Sequence, residues 1–273
     1  MPETDLFQPT ACNLCSLNCG IEIEIEGRRF KRIRGDKGHP SSQGYLCQKA
    51  SRLDYYQNHE RRLRYPLRKC PDGSFERVDW DTAIHEVAQR LTGIRDAHGG
   101  HAIAYYGGGG QGNHLGGAYS APLRAALGTP YLYNSLAQEK TGDFWVNGQL
   151  FGKQTCHVTE GLEETDYALI LGANPWQAHG FPRARTVLRE IAADPNRTLV
   201  VVDPRRTKSA ELADIHLQVR PGTDAFLLAA MLGTIVQEGL VDKTFLVERT
   251  AGYGELEGAL RTVSVDDYAA RSG

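Results

Sequence analysis

The sequence predicts an α/β protein in which a small, cysteine-bearing N-terminal unit with a β-hairpin precedes Rossmann-like regions built on a parallel sheet. Three observations support this fold class. Four of the six cysteines of the 273-residue chain fall within the first 47 residues. Isoleucine and glutamate alternate directly after the first three cysteines, which is typical of a strand with one buried face. Beyond residue 79, helical patterns alternate with short apolar runs, as they do in parallel α/β proteins.

The predicted hairpin follows Cys19. Residues 20–27 read Gly-Ile-Glu-Ile-Glu-Ile-Glu-Gly, and the period of two places all three isoleucines on the buried face. The turn is expected at Glu26-Gly27, and residues 28–33 are expected to return as the partner strand. A chain folded back in this way can bring Cys47 to the earlier cysteines.

Helices and strands are predicted to alternate over the rest of the chain. Asp79 is the predicted N-cap of a helix that ends at His98-Gly99-Gly100. Further helices are predicted over residues 118–127, 183–193, 224–238 and 243–249. Short apolar runs predict strands over residues 102–106, 167–171, 199–202 and 215–219. Active groups are expected at the carboxyl ends of these strands, where parallel sheets bind their ligands.

Charge and composition argue against several classes of protein. Lysine and arginine total 31 against 33 aspartate and glutamate residues, and a net charge of −2 does not favour a nucleic-acid-binding protein. No stretch approaches the roughly 18 apolar residues of a membrane span. The first ten residues carry no targeting signal, which predicts a cytoplasmic protein. Cysteines stay reduced there, so a cysteine cluster indicates metal binding or catalysis.

Residues 48–78 are basic and irregular in pattern. Their basic residues include Arg52, Arg61, Arg62, Arg64, Arg68 and Lys69. Two interpretations stay open, a solvated linker and a surface that faces an anionic group.

The spacing Cys12-x2-Cys15-x3-Cys19-x27-Cys47 suits a site with four thiolate ligands. A tetrahedral zinc site and a [4Fe–4S] cluster are both compatible with four cysteines. Zinc sites tend to pair their cysteines in two Cys-x2-Cys units. Three grouped cysteines and one distant cysteine therefore favour the iron–sulfur cluster.

The chain resembles the molybdopterin oxidoreductases of the dimethyl-sulfoxide-reductase superfamily, whose cluster-bearing members include formate dehydrogenases and nitrate reductases. The resemblance begins with the cysteine spacing and Gln48-Lys49, and continues with Arg64-Tyr-Pro-Leu-Arg68 and Trp80-Asp-Thr-Ala-Ile84. Three later segments resemble the family's pterin-nucleotide-binding motifs: Gly172-Ala-Asn174-Pro, Val202-Asp203-Pro-Arg205-Arg-Thr207 and Arg220-Pro-Gly222-Thr-Asp224. The motifs occur in the family's order over nearly the whole chain.

This resemblance implies two cofactors. One is a [4Fe–4S] cluster held by Cys12, Cys15, Cys19 and Cys47. The other is a molybdopterin guanine dinucleotide that carries molybdenum or tungsten. Lys49 matches the lysine that relays electrons between cluster and pterin.

The resemblance also implies residues that bind the pterin nucleotide. They are Gly172, Asn174, Asp203, Arg205, Thr207, Gly222 and Asp224. A carboxylate after a strand accepts hydrogen bonds from ribose or guanine, and an arginine binds phosphate in a bidentate manner. Asp224 has a second interpretation as a helix cap. The Gly107–Gly112 run lacks the acidic residue of an NAD-binding motif, so it is interpreted as a backbone lining close to the pterin.

The protein ligand of the molybdenum or tungsten is open. The soft thiolate of Cys156, with His157 beside it, suits the metal chemically. Alignment with the family instead places the ligand between Ser135 and Glu139. The absence of any protein ligand is the third alternative.

By resemblance, residues 1–65 form the cluster domain, and residues 66–273 form an α/β domain truncated before the family's C-terminal β-barrel. The implied function is a formate dehydrogenase- or nitrate reductase-like enzyme that moves two electrons between a small-molecule substrate and the cluster, and then to a redox partner protein. Family members are longer, so we expect a fragment, or one part of a split enzyme with a second chain that supplies the missing domains. The alternatives are a pterin-free electron-transfer or structural subunit, an inactive fragment and a zinc-stabilised binding module.

Overall fold

The computed structural model describes residues 6–107, 118–156 and 161–273. These residues form two compact units, Met1–Thr159 and Glu160–Gly273. The boundary between the compact units therefore falls at residue 159. The boundary at residue 65 separates two domains that were predicted from sequence motifs, and it stays a prediction.

An antiparallel sheet in the order β1-β2-β3 opens the first unit, with β1 at Phe7–Ala11, β2 at Gly20–Glu26 and β3 at Arg29–Gly35. The β2–β3 pair confirms the predicted hairpin, and β1 is an additional strand. Ile21 and Ile23 are buried, as the alternation predicts. Ile25 is 42% exposed, because a register shift between Glu24 and Ile25 interrupts the alternation and turns Ile25 outward.

The other elements of the first unit are short, apart from one helix. They are α1 (Leu53–Asn58), β4 (Leu67–Lys69), β5 (Phe75–Arg77), α2 (Trp80–His98), β6 (Tyr105–Tyr106), α3 (Ser120–Leu127), β7 (Leu132–Tyr133), α4 (Leu136–Glu139) and α5 (Thr141–Phe151). Strands β4 and β5 pair as an antiparallel hairpin, and β6 and β7 are parallel. Residues 48–78, which the sequence predicted to be irregular, thus contain α1 and the β4–β5 hairpin. Asp72 stabilises the turn of this hairpin, because its carboxylate accepts a hydrogen bond from the Ser74 backbone N–H at 2.9 Å.

Helix α2 begins and ends where the sequence predicts. The Asp79 carboxylate accepts from the Thr82 backbone N–H at 2.8 Å, and Gly99 ends the helix at φ +76°. Its apolar stripe is not buried among the described residues, since Ile84 is 62% exposed and Val87 is also exposed.

The second unit holds a three-stranded parallel sheet in the order β10-β9-β8. The strands are β8 (Tyr167–Leu171), β9 (Thr198–Val202) and β10 (Ile215–Leu217), and the helices are α6 (Pro175–Ala178), α7 (Ala184–Ala193), α8 (Asp224–Gln237), α9 (Lys243–Arg249), α10 (Tyr253–Arg261) and α11 (Val265–Ser272). The predicted parallel α/β arrangement is observed in this unit. The described residues form a mixed α/β structure.

The core of the second unit forms between α7 and the central strand β9. Residues 199–202 of β9 are all buried, as expected of a central strand in a parallel sheet. Val187, Leu188 and Ile191 of α7 belong to the same cluster of buried side chains as Leu199 and Val201. This contact holds the loops after β8 and β9 in place.

Truncation of the core leucine is expected to destabilise the second unit. Leu188 is 0% exposed, so Leu188→Ala leaves a cavity and should lower the free energy of unfolding by roughly 2–5 kcal/mol. Leu240→Ala is the matched control, because Leu240 is 65% exposed and its loss should cost under about 0.5 kcal/mol. Urea denaturation followed by circular dichroism measures both, and equal midpoints for the two variants would contradict this core.

Charged side chains link β2 to β3 across the first sheet. Arg32 donates to the Glu24 carboxylate, and the Lys31 ammonium lies 3.2 Å from the same group. The Arg32 hydrogen bond, with help from Lys31, holds the pKa of Glu24 below its usual 4.5. Glu24 therefore stabilises the folded state above about pH 4.5, and this contribution is lost as the pH falls through the lowered pKa.

Glu24→Gln should accordingly lower the melting temperature at pH 7, and the difference from the unmodified protein should shrink as the pH falls below about 4.5. Glu26→Gln is the control, because Glu26 is exposed on the same strand and forms no ion pair among the described residues. Thermal melts from pH 3 to pH 8 test this. A Glu24→Gln deficit that stays constant with pH would contradict the assignment.

No helix within the described ranges has both the length and the apolar character needed to cross a bilayer.

Candidate cofactor-binding site

Three of the four clustered cysteines lie on the loop that joins β1 to β2. Ala11 pairs with Gly20 in the sheet register, and the Cys12 backbone N–H donates to the Cys19 carbonyl at 2.8 Å. These contacts close the loop into a tight turn. Cys12, Cys15 and Cys19 are thereby confined to one end of the first sheet.

Cys47 reaches this group on a loop that packs against the first sheet. The buried Ser42 hydroxyl accepts from the Gly20 backbone N–H at 3.0 Å and contacts His39 Nδ1 at 2.9 Å. A Cβ atom on Gly20 would lie 2.5 Å from His39, and one on Gly35 would lie 2.0 Å from the Gly44 carbonyl oxygen. Glycine is therefore required at both positions for the loop to approach the sheet.

The thiols interact electrostatically. Burial raises the pKa of Cys12 above its usual 9.0, and Cys47 and Cys15 raise it further, whereas Lys49 lowers it. Burial also raises the pKa of Cys19, again with contributions from the other three cysteines. The thiols of Cys12 and Cys19 are therefore protonated at neutral pH, and binding of metal must release these protons.

The donor set fits an iron–sulfur cluster. Cys12 and Cys19 interact electrostatically with each other and with Cys15 and Cys47. The Ala50 backbone N–H points to Cys47 Sγ at 3.4 Å, the type of contact that supports a charged thiolate. Among the residues described, no three histidine, cysteine or acidic side chains converge as they would around a single metal ion. Lys49, two residues after Cys47, is exposed and precedes the short 3-10 helix Ala50–Arg52.

A second group of candidate residues follows the carboxyl ends of β8 and β9. Leu171 and Val202 pair as neighbours, and the Gly172 backbone N–H donates to the Val202 carbonyl at 2.8 Å. Gly172 and Asp203 thus leave adjacent strands at the same level of the sheet. Gly172 has φ +60°, a conformation that glycine adopts without strain.

The loop after β9 is organised by its own side chains. Asp203 Oδ1 accepts from the Arg205 backbone N–H at 2.8 Å, which forms a tight turn. Arg205 is exposed at this turn. Thr207 is buried, and its hydroxyl accepts from the Ala210 backbone N–H at 3.2 Å, so in this structure Thr207 caps a turn while its predicted phosphate contact stays a prediction.

Ser209 is a structural residue of this site that the sequence did not indicate. It is fully buried, donates to Asn174 Oδ1 at 2.8 Å and accepts from the Trp176 backbone N–H at 3.1 Å. It therefore ties the loop after β9 to the loop after β8. A serine among several polar loop residues carries no pattern that marks such a link.

Gly222 and Asp224 lie on the segment that follows β10. Gly222 has φ +82°, and Asp224 is the exposed first residue of α8. The helix cap itself is Thr223, so the alternative interpretation of Asp224 as the cap is wrong by one residue. The Gln218 amide donates to the Pro204 carbonyl at 3.2 Å and connects this segment to the loop after β9.

The candidate metal ligands are in the first unit. Ser135 and Glu139 both line a cavity of about 610 Å³, together with Tyr106 and Tyr133. Cys156 does not line it, and its carbonyl accepts from the Asn147 amide at 2.9 Å. His157 and residues 108–112 of the glycine run lie outside the described residues.

Family models match most of the chain in two adjoining regions. Residues 6–59 match the molybdopterin oxidoreductase Fe4S4 domain, and residues 62–255 match the molybdopterin oxidoreductase domain. The chain belongs to the molybdopterin oxidoreductase family. The two domains indicate a [4Fe–4S] cluster and a molybdenum- or tungsten-pterin as the cofactors.

Curated relatives of this molybdopterin oxidoreductase chain include the F420-dependent formate dehydrogenase subunit alpha of Methanocaldococcus jannaschii, at 29% identity over 96% of this chain and 38% of the relative. The nitrate reductase of Symbiobacterium thermophilum is 30% identical over 95% of this chain and 34% of its own length. Formate dehydrogenase H of Escherichia coli is 29% identical over 90% of this chain and 35% of its own length. The chain thus spans little more than a third of the length of these relatives.

A solved structure also has a similar fold. Acetylene hydratase from Pelobacter acetylenicus superposes with a TM-score of 0.78 at 24% identity, and the match covers 97% of this chain and 37% of that one. This likeness supports the mixed α/β fold.

Proposed function

We propose that the chain is the cofactor-binding N-terminal part of a molybdenum- or tungsten-dependent oxidoreductase that moves two electrons between a small substrate and a [4Fe–4S] cluster. The carrying observation is that four mutually interacting thiols lie inside the region matched by the family's cluster domain. The formate dehydrogenases and nitrate reductases among the relatives make formate and nitrate the first substrates to test.

Each residue group has a proposed task. Cys12, Cys15, Cys19 and Cys47 hold the cluster. When bound, the pterin-held metal supplies the two-electron chemistry and the cluster supplies one-electron transfer. Relatives named as alpha subunits support the proposal that the enzyme has a redox partner protein. We also propose that the domains found in the longer relatives are supplied by further domains of this protein or by a second chain.

The parallel sheet of the second unit is proposed as the Rossmann-like nucleotide site. Asp203 would accept from ribose or guanine, and Arg205 would donate to phosphate. Gly172 and Gly222 would allow the backbone to approach the dinucleotide, while Asn174 shapes the loop through Ser209. Thr207 and Asp224 complete the proposed set. Ser135 or Glu139 is favoured as the metal ligand over Cys156, because both line one cavity.

Lys49 is proposed to stabilise the extra electron on the cluster by its positive charge. Lys49→Met should lower the rate of electron transfer through the cluster by about tenfold or more, equivalent to ~1.4 kcal/mol of barrier. Lys49→Arg keeps the charge and should restore most of the rate, and Lys69→Met is the control for charge lost elsewhere. Stopped-flow absorbance measures the rate, and iron content shows that the cluster is retained. Equal rates for Lys49→Met and Lys69→Met would contradict the relay.

The function itself is tested on protein that contains both iron and molybdenum or tungsten. Formate should bleach the cluster absorbance, or nitrate should restore it after chemical reduction. Fully loaded protein whose cluster responds to neither of these, nor to a panel of other small oxyanions, would contradict the oxidoreductase function.

A further inference from the structure

A polar cavity of about 690 Å³ in the first unit is lined by four arginines, Arg28, Arg29, Arg62 and Arg64. The first two lie at the turn between β2 and β3, and the other two follow α1. Leu63 and Tyr65 also line it. Part of the cavity lining belongs to the basic segment, residues 48–78. One of the two interpretations of this segment was a surface that faces an anionic group.

The walls of this cavity are fixed with respect to each other. The Asn58 side chain at the end of α1 accepts from the Phe30 backbone N–H at 3.1 Å and donates to the Phe30 carbonyl at 2.7 Å. This pair of bonds joins Asn58 of α1, which lines the cavity, to Phe30 of β3, which follows the lining residue Arg29. The Arg77 guanidinium lies 3.1 Å from the centre of the Tyr65 ring and holds the other side.

The arginines carry uncompensated charge. Within the described part of the chain, Arg28, Arg29 and Arg64 form no ion pair or side-chain hydrogen bond, and Arg62 donates only to the Tyr56 carbonyl. Their acidic neighbours in sequence, Glu26 and Glu60, form no ion pair with them. Residues 6–65 hold 11 lysines and arginines against six aspartates and glutamates, although the whole chain has a net charge of −2.

The cavity continues toward the cysteine loop. A second cavity of about 410 Å³ shares Gln57 and Arg62 with it and is lined by Asn13 and Leu14, which lie between Cys12 and Cys15. An anionic molecule bound to the four arginines is therefore close to the proposed cluster.

The rim has the composition of a protein interface. Leu63 and Tyr65 line the first cavity, Tyr56 lines the second, and all three are exposed. Arginine and tyrosine are enriched in protein–protein interfaces, where charge sets the association rate and aromatic side chains supply contact area. A site for a small anion needs the arginines but not this apolar and aromatic rim.

We infer that the four-arginine surface docks an acidic one-electron carrier protein beside the cluster. The inference rests on the proposed function, because a carrier benefits from this position only if the cluster exchanges electrons. One electron leaves the reduced cluster and reduces the oxidised carrier, and no bond is formed or broken.

The test uses the intact, cluster-loaded protein, reduced chemically and mixed with an oxidised acidic ferredoxin as the probe. The triple variant Arg28→Gln, Arg29→Gln, Arg64→Gln should lower the second-order rate by about tenfold or more at low salt and weaken its salt dependence. The matched control is Lys69→Gln, Arg90→Gln, Lys153→Gln, which removes three charges outside both cavities and should change the rate by less than about twofold. Iron content and urea midpoints establish that both variants are folded.

Equal rates for the two triple variants would overturn the docking inference alone. A second pair of results would also overturn it. If calorimetry shows that inorganic pyrophosphate binds the unmodified protein but not the triple arginine variant, while the two proteins reduce ferredoxin at the same rate, the cavity is a small-anion site. A purified protein without any reducible cluster overturns the proposed function, and the docking inference with it.

Discussion

Cys47→Ser is expected to abolish or severely reduce the bound iron. A serine hydroxyl replaces the one thiolate that the loop over residues 36–47 brings to the other three cysteines. Metal binding to such sites is coupled to local folding, so loss of one ligand should also loosen this loop. The iron content should fall from about four atoms per chain to three or fewer, and the broad absorbance near 400 nm should fall with it.

Cys70→Ser is the matched control for this change. Cys70 is partly buried in the first unit, and its described hydrogen bonds are made by the backbone, to Ser74 and Gly73. Its thiol is therefore dispensable for iron binding. Retention of full iron by Cys47→Ser, or equal loss from both variants, would contradict the assignment of the fourth ligand.

Asp203→Asn is expected to weaken retention of the pterin dinucleotide by about 10- to 100-fold, because a hydrogen bond to a charged acceptor contributes about 1.5–3 kcal/mol. Asparagine keeps the Oδ1 that accepts from the Arg205 backbone N–H, so the turn survives while the charge is lost. The measurement is guanosine monophosphate released by acid hydrolysis per chain, together with molybdenum and tungsten content after dialysis.

Asp194→Asn is the control for Asp203→Asn. Asp194 forms the same kind of turn, since its Oδ1 accepts from the Asn196 backbone N–H at 2.9 Å. It lies between α7 and β9, at the opposite edge of the sheet from Asp203. If the two variants release the same amount of nucleotide, Asp203 does not contact the cofactor.

Local patterns in the sequence predicted the elements well. The Asp79 cap and the apolar run of β9 each act over a few residues, and the structure confirms both. The alternation over residues 20–27 correctly predicted a strand with Ile21 and Ile23 buried, but its prediction that Ile25 is buried was wrong. The cysteine spacing also indicated the cluster chemistry, and the family match supports it.

Features that depend on distant packing were not predictable. The register shift at Glu24 and Ile25 arises from the pairing of β2 with β3, and no pattern within β2 marks it. The requirement for glycine at Gly20 and Gly35 comes from the approach of the loop that carries Cys47. The periodicity of α2 predicted an apolar face correctly, but periodicity does not identify what covers that face.

The most direct test of the account is the metal content of the purified protein, measured by mass spectrometry on one sample. We expect about four iron atoms and one molybdenum or tungsten atom per chain, with negligible zinc. One zinc atom per chain without iron would contradict the cluster, and iron without molybdenum or tungsten would contradict the pterin-dependent oxidoreductase.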